Sequence, residues 1–165
     1  MSSAPQVCAR CAALGKACCV SAEGVAGPPV TPGDIARIEA ASGRRARDFT
    51  VSREVDAIEQ QAWEEEDPAA RGLVREGRVL SLARDGDACV FLGRAGCTLG
   101  ESRPLLCRRF PFVRRAGRLE VKPGGDCLAV SESAGLPSLL VALNTSRREL
   151  RSIDAQLALE LRGGD

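Results

Sequence analysis

The amino-acid sequence predicts a small, cysteine-rich α+β domain with several helices, two short β-hairpins and a long C-terminal helix. Three observations lead there. The length of 165 residues suits one hydrophobic core and would crowd two, so residues 1–165 read as a single domain. Helix-start signals and hairpin turns both occur along the chain. Eight cysteines stand in short groups among them: Cys8, Cys11, Cys18, Cys19, Cys89, Cys97, Cys107 and Cys127. The apolar fraction of 44% indicates ordinary folding rather than disorder. Because the aromatic residues are only Phe49, Trp63, Phe91, Phe110 and Phe112, the core has to be built from Leu, Val, Ile and Ala.

Residues 1–7 read as a short flexible lead, followed by a cysteine loop, CARCAALGKACC, from Cys8 to Cys19. Gly24, Gly27, Pro28 and Pro29 then argue for an irregular segment. Thr31-Pro32-Gly33-Asp34 is a helix start, with Thr as N-cap, Pro at the first helical position and an acidic residue where the helix dipole favours it. This helix is expected to run to Ser42 and stop at Gly43, with Ile35 and Ile38 inward. A second helix is expected over residues 49–66, because Val51, Val55, Ile58 and Ala62 share one face at helical spacing. Asp67-Pro68 ends it and caps a short turn through Val74. The acidic run Glu64, Glu65, Glu66, Asp67 reads as a solvated helix end, since nothing else oxygen-rich is positioned to complete a hard-metal site.

Residues 78–84 alternate and run into Asp85-Gly86, which predicts a hairpin whose return strand, 88–92, carries Cys89. A second hairpin is expected from 113–115 and 119–121 about Ala116-Gly117, after which Pro123-Gly124-Gly125 delivers Cys127 from a loop. Residues 136–162 are helical, with Leu136, Leu140, Leu143, Leu150, Leu157 and Leu161 on one stripe and a break at 144–146, where Ser146 and Glu149 resemble a capping box. The stripe packs on the domain's own core or, alternatively, serves a protein partner or a dimer.

The chain contains no histidine, so imidazole is absent as base, metal ligand and pH switch. Any chemistry runs on thiolates, carboxylates and arginines. With 23 basic and 22 acidic residues the net charge is +1, which is not a nucleic-acid-binding balance. The sequence has neither a basic and apolar leader nor an apolar run long enough for a bilayer, so a cytoplasmic protein without a membrane span is expected. In a reducing compartment, cysteines at short spacings bind metal more readily than they form disulfides. The Cα atoms of Cys18 and Cys19 stand about 3.8 Å apart across a trans peptide, below the usual disulfide range of about 4.4–6.8 Å.

A tetrahedral thiolate site takes two sulfurs from one tight C-x2-C turn, and Cys8 and Cys11 have that spacing. Consecutive side chains diverge, so Cys18 and Cys19 serve one site each, or both line a polynuclear cluster. Eight cysteines divide into two sets of four. The expected cofactor is Zn2+ or Fe, the latter alone or as an iron–sulfur cluster. Arg103, Arg108 and Arg109 flank Cys107 and are expected to offset the negative charge of a four-thiolate centre and donate to its sulfurs. Phe110-Pro111-Phe112 would exclude water from one side.

The order of the C-x2-C pair, the vicinal Cys-Cys pair, the helix opening VTPGDIARI and the stretch CVFLGRAGCTLGESRPLLCRRFPF resembles the YkgJ-type cysteine-cluster family, described as zinc- or iron-chelating domains. The resemblance spans roughly Cys8 to Cys127 and is most specific at Cys97, Arg103, Pro104, Cys107, Arg108, Phe110, Pro111 and Phe112. It implies that Cys8, Cys11, Cys18, Cys19, Cys89, Cys97 and Cys107 belong to the family's metal site, which Cys127 joins with the least support. The spacer Ala12 to Ala17 is longer than the family's, and Gly100 stands where members often carry a tyrosine. The resemblance extends loosely to a flagellin lysine methylase, which would imply methyl transfer. Against catalysis, the chain has no Gly-rich cofactor loop after a strand and no Ser or Cys paired with a base. The spacings do not match ferredoxin runs, and a zinc module for RNA lacks the basic charge and aromatic residues it needs. The expected function is therefore metal binding in a structural, storage or delivery role, with metal ions as partners. The alternative is an iron–sulfur protein with redox or methyl-transfer activity.

Overall fold

Helix α1 (Gln6–Ala13) begins directly after Pro5, so the first half of the expected cysteine loop is helical. The computed structural model describes residues 5–16, 18–20, 26–122 and 126–162; Gly24, the start of the expected flexible lead and the loop Pro123-Gly124-Gly125 lie outside them. Residues 5–7 are not a flexible lead, because Val7 is buried with Phe112, Ala129, Leu139 and Leu150. An apolar anchor followed by Ala- and Arg-rich sequence favours a helix once the anchor has a core to enter.

Helix α2 (Pro32–Ser42) has the expected cap chemistry: the Thr31 hydroxyl accepts from the Asp34 N–H, the Asp34 carboxylate accepts from the Thr31 N–H, and Gly43 closes the helix in the left-handed conformation at φ 68°. Ile38 is fully buried and Ile35 half-buried against the same cluster.

The next segment departs from the expectation. Residues 49–66 are not one helix: strand β1 (Thr50–Glu54) precedes helix α3 (Ala57–Glu66), which starts where the Asp56 carboxylate accepts from the Glu59 N–H. β1 pairs antiparallel with β2 (Arg78–Leu82), Thr50 opposite Leu82 through Glu54 opposite Arg78. Thr50 and Val51 are β-branched, and a five-residue partner strand outweighs a local helical spacing. The expected apolar face is consequently dispersed, with Val55 buried but Val51 and Ile58 exposed. β2 therefore does not pair with 88–92. The Asp85-Gly86 turn closes a shorter hairpin, β3 (Arg84–Asp85) with β4 (Ala88–Cys89), and β5 (Leu92–Gly93) pairs with β6 (Gly96–Cys97) in a hairpin that periodicity did not signal.

The chain continues through α4 (Leu105–Arg109) into the expected second hairpin, β7 (Phe112–Arg115) and β8 (Arg118–Val121). Ala116 and Gly117 both have positive φ, as a type I′ turn requires. Helices α5 (Leu128–Glu132), α6 (Leu136–Ala142) and α7 (Arg147–Arg162) complete the α+β fold. The break between α6 and α7 falls at the expected capping residue: the Ser146 hydroxyl accepts from the Glu149 N–H. Leu150, Ile153 and Leu157 of α7 are buried, the last two with Leu105 of α4, so the apolar stripe packs on the domain's own core. Among the described residues no helix is long and apolar enough to cross a membrane.

Three small apolar clusters form, and polar contacts join them. Residues 28–30 lie alongside β2 through Val30 N–H to Leu80 C=O (3.0 Å) and Leu82 N–H to Pro28 C=O (2.9 Å). A Cβ on Gly27 would fall 2.1 Å from the Leu82 carbonyl oxygen, so only glycine permits this approach. Asp34 is fully buried and accepts from the Leu105 N–H at 2.9 Å, which joins the N-terminus of α2 to that of α4. Arg37 pairs with Asp34 and reaches Glu160 of α7, which also accepts from the Thr31 hydroxyl. The acidic run is not simply solvated. Asp67 pairs with the buried Arg109 and Glu66 with Lys122, while the Glu66 carbonyl accepts from Arg115 at 2.6 Å.

Asp34→Ala leaves two backbone N–H groups without their acceptor and removes one of the two carboxylates that pair with Arg37, and it is expected to cost about 3–5 kcal/mol in a denaturant titration; a loss within about 0.5 kcal/mol, the ordinary surface value, would sink the assignment. Burial tends to raise the Glu160 carboxyl, but hydrogen bonds from Arg37, Thr31 and Gln156 outweigh it and hold the group below the ordinary glutamate value. That stabilisation is present above the unfolded glutamate pKa of about 4.3 and is lost as pH falls through the lower folded value. Glu160→Gln is therefore expected to flatten the acid limb of stability against pH, and an unchanged slope would exclude this group as its source.

Candidate metal centre

All eight cysteines line one cavity of about 390 Å³. Each reaches it for a local reason. Cys8 and Cys11 are three apart on α1 and so share one face of the helix. The vicinal pair is brought in by backbone pairing: Cys89 N–H donates to Cys19 C=O at 2.8 Å and Val20 bridges Ala88. Cys89 and Cys97 come from the short hairpins, Cys107 from α4, and Cys127 from the N-cap position of α5. α1 packs against both β6 and α5, which sets Cys8 and Cys11 near Cys97 and Cys127. Arg10 of α1 also pairs with Glu132 of α5.

The cavity lies between two apolar clusters. Cys19, Cys89 and Cys97 pack with Val30, Ile38, Phe49 and Phe91, whereas Cys8 and Cys127 pack with Val7, Phe112 and Leu139. None of the eight cysteines is disulfide-bonded. The Cys11 thiol donates to the Lys16 carbonyl at 3.3 Å. Among the described residues, no group of three or more Cys, Asp or Glu side chains is arranged to hold an ion as it stands. The donor set fits soft or borderline metals, since sulfur dominates the lining and Asp126 is its one carboxylate among the described residues.

Burial opposes ionisation of most of these thiols. It pushes Cys8 up to about 11, with Cys18 adding to the rise and Arg103 opposing it. Burial likewise raises Cys89, Cys97 and Cys127, against backbone N–H groups of Phe91, Leu99 and Val130 that favour the thiolate. Cys107 is raised most plainly, because nothing offsets its burial or the charges of Cys18, Cys97 and Cys89. The exception is Cys18. It accepts a hydrogen bond from Cys19, and this bond, with help from Arg103, lowers Cys18 to about 7. The same bond holds Cys19 protonated and raises it.

Arg103 and Arg108 line the cavity; Arg103 donates to the Gly100 carbonyl at 2.9 Å, and Arg108 pairs with Glu149 at 3.4 Å. The Arg109 side chain instead pairs with Asp67 and with Asp154 at 3.3 Å and lines a neighbouring cleft. Phe110 lines the cavity, while Phe112 is buried in one of its flanking clusters. Sequence reasoning missed Arg84, which stands opposite Cys89 in the β3–β4 register and donates to the Cys19 carbonyl at 3.3 Å. The Asp85-Gly86 pair is the signal for it, because the two-residue loop Gly86-Asp87 fixes which residues face each other.

Residues 7–128 match the model of a protein family, CxxCxxCC, described as "Putative zinc- or iron-chelating domain". The matched span encloses all eight cysteines, Cys127 included, and leaves α6 and α7 outside. No curated protein and no solved structure matches the chain.

With metal removed and thiols reduced, Cys18, which is exposed, is expected to be alkylated at pH 7 about tenfold faster than Cys8, Cys19, Cys89, Cys97, Cys107 or Cys127. Peptide mapping by mass spectrometry reads this directly. Equal rates at Cys18 and Cys8 would show that the Cys18–Cys19 bond does not set the reactivity.

Proposed function

Because the chain belongs to the CxxCxxCC family of putative zinc- or iron-chelating domains, we propose that its eight cysteines hold zinc or iron as thiolates, in a structural, storage or delivery role. The observation that carries this reading is the single cavity into which separate segments bring all eight residues. Burial raises Cys8, Cys89, Cys97, Cys107 and Cys127, the bond to Cys18 together with burial raises Cys19, and a bound cation supplies the positive charge that lets these thiols ionise.

The proposed division is into two sets of four. Cys8, Cys11, Cys18 and Cys127 would form one, and Cys19, Cys89, Cys97 and Cys107 the other. Two observations support it. Cys8 and Cys127 belong to one apolar cluster, and Cys19, Cys89 and Cys97 to the other. The electrostatic neighbours of Cys8 are Cys18, Cys127 and Cys11, whereas those of Cys19 beyond its adjacent residue are Cys107 and Cys89. Cys18 also influences Cys89, Cys97 and Cys107, as a residue on the boundary would. Rotation of the cysteine side chains about χ1 would have to close the sets. Arg103 and Arg108 would offset the charge of the loaded centre, and Arg84 would hold the Cys19 backbone. An iron–sulfur cluster is the second reading, favoured by the one continuous cavity; acid-labile sulfide and a visible absorption band would select it.

Protein purified without oxygen is expected to contain about two zinc or iron ions per chain, with Cys107→Ser and Cys127→Ser each losing about one. Wild-type metal content in both variants would remove these residues from the site. Chelation is expected to lower the melting temperature of the whole domain, because the ligands come from both ends of it, and unchanged melting would count against a structural role. Protons must leave the raised thiols on loading, so affinity drops about tenfold for each unit by which pH is lowered, per proton displaced. A competition titration between pH 6 and 8 measures the slope, and a flat profile would contradict thiolate ligation.

A further inference from the structure

A second cavity, of about 680 Å³, lies beside the first and shares Cys18, Cys19 and Cys107 with it. Its volume is that of a small-molecule site rather than of a bare ion. Apolar groups, among them Pro29, Leu73, Leu106 and Phe110, line part of it. So does Trp63, the chain's one tryptophan, with the guanidinium carbon of Arg53 at 4.9 Å from the ring centroid.

The charged groups of this cleft are unequal. Its cations are Arg53, Arg84, Arg109 and Lys122, and its acids are Glu59, Glu66 and Asp67. Every acid already has a cation: Glu59 pairs with Arg53 at 2.6 Å, Glu66 with Lys122 at 3.2 Å, and Asp67 with Arg109. Two polar atoms of the lining residues are buried without a partner, and both are donors, the Nε–H groups of Arg84 and Arg109. Among the described residues, no buried acceptor lining the cleft is left unpaired. The terminal N–H groups of Arg109 already meet Asp67 and Asp154, whereas Arg84 meets the Cys19 and Asp87 carbonyls and, among the described residues, no carboxylate.

We infer that this cleft binds a small organic anion, whose carboxylate accepts from the Arg84 guanidinium while its apolar body lies against Trp63, Leu73 and Leu106. A guanidinium presents N–H groups in a planar fork that matches a carboxylate, which is why the ligand is assigned an acid and not a neutral polar molecule. The inference does not depend on what the cysteines hold. It gives the protein a small-molecule site that shares a wall with its cysteine centre. Water filling the cleft is the competing account, and it predicts no saturable response to an organic acid.

Trp63 provides the readout. Protein as purified, its metal content measured on the same sample, is titrated with phenylbutyrate, with the neutral amide of that acid and with inorganic phosphate, while Trp63 fluorescence is followed. The acid is expected to saturate, the amide and phosphate to bind at least about tenfold more weakly, and Arg84→Gln to weaken the acid about tenfold at unchanged metal content. Arg84→Lys, which keeps the charge but not the planar guanidinium, gives an independent reading and is expected to lose several-fold. No saturation by the acid, or equal affinity for acid and amide, would overturn the inference. Equal affinity for phosphate would overturn the organic class, and wild-type binding by both Arg84 variants would overturn the assigned donors. Failure of the metal reading appears in the metal content, and failure of this inference in the titration.

Discussion

A carboxylate with no access to water organises the protein. Asp34 is fully buried, and its charge is tolerated because two backbone N–H groups and the Arg37 guanidinium point at it. One of those N–H groups belongs to Leu105, two residues before Cys107, so the cap of α2 also fixes the start of the helix that carries a candidate ligand. Through Arg37 and Glu160 the same network reaches α7. A residue expected only to favour a helix N-terminus thus joins three helices.

The rest of the architecture follows from a shortage of large apolar side chains. The buried residues fall into three modest clusters, and ionic contacts join them where a larger domain would use continuous packing. Arg109 links the region of Asp67 to Asp154 of α7, and Arg114 adds a second contact to Asp154 at 2.8 Å. The cysteine cavity occupies one such junction. A metal there would act as a further joint between clusters, which relates chelation to the stability of the fold.

The two cavities have complementary demands. One is lined by sulfhydryls, for most of which burial resists ionisation, and it calls for a cation. The other has its acids already paired and Arg84 without a carboxylate among the described residues, and it calls for an anion. Cys18, Cys19 and Cys107 form the wall between them, so the state of the sulfurs and the occupancy of the cleft are within electrostatic reach of one another.

By itself the sequence determined what local chemistry can determine. Thr31, Pro32, Asp34 and Gly43 specify α2 by cap geometry, Ala116-Gly117 specifies the β7–β8 turn, Ser146 specifies the start of α7, and eight cysteines without a histidine specify a thiolate donor set. Only the tertiary structure decided that residues 50–54 form a strand, because the partner at 78–82 is distant in the chain and its ladder outweighs a local helical spacing. It also decided that Arg108 faces the cysteines while Arg109 turns away to Asp67 and Asp154, since adjacent side chains diverge and the chain order does not say which one meets the acids. Which cysteines are neighbours was settled the same way. Their spacing marks them as candidate ligands, but backbone pairing between Cys19 and Cys89 and the packing of α1 on β6 and α5 bring them to one cavity.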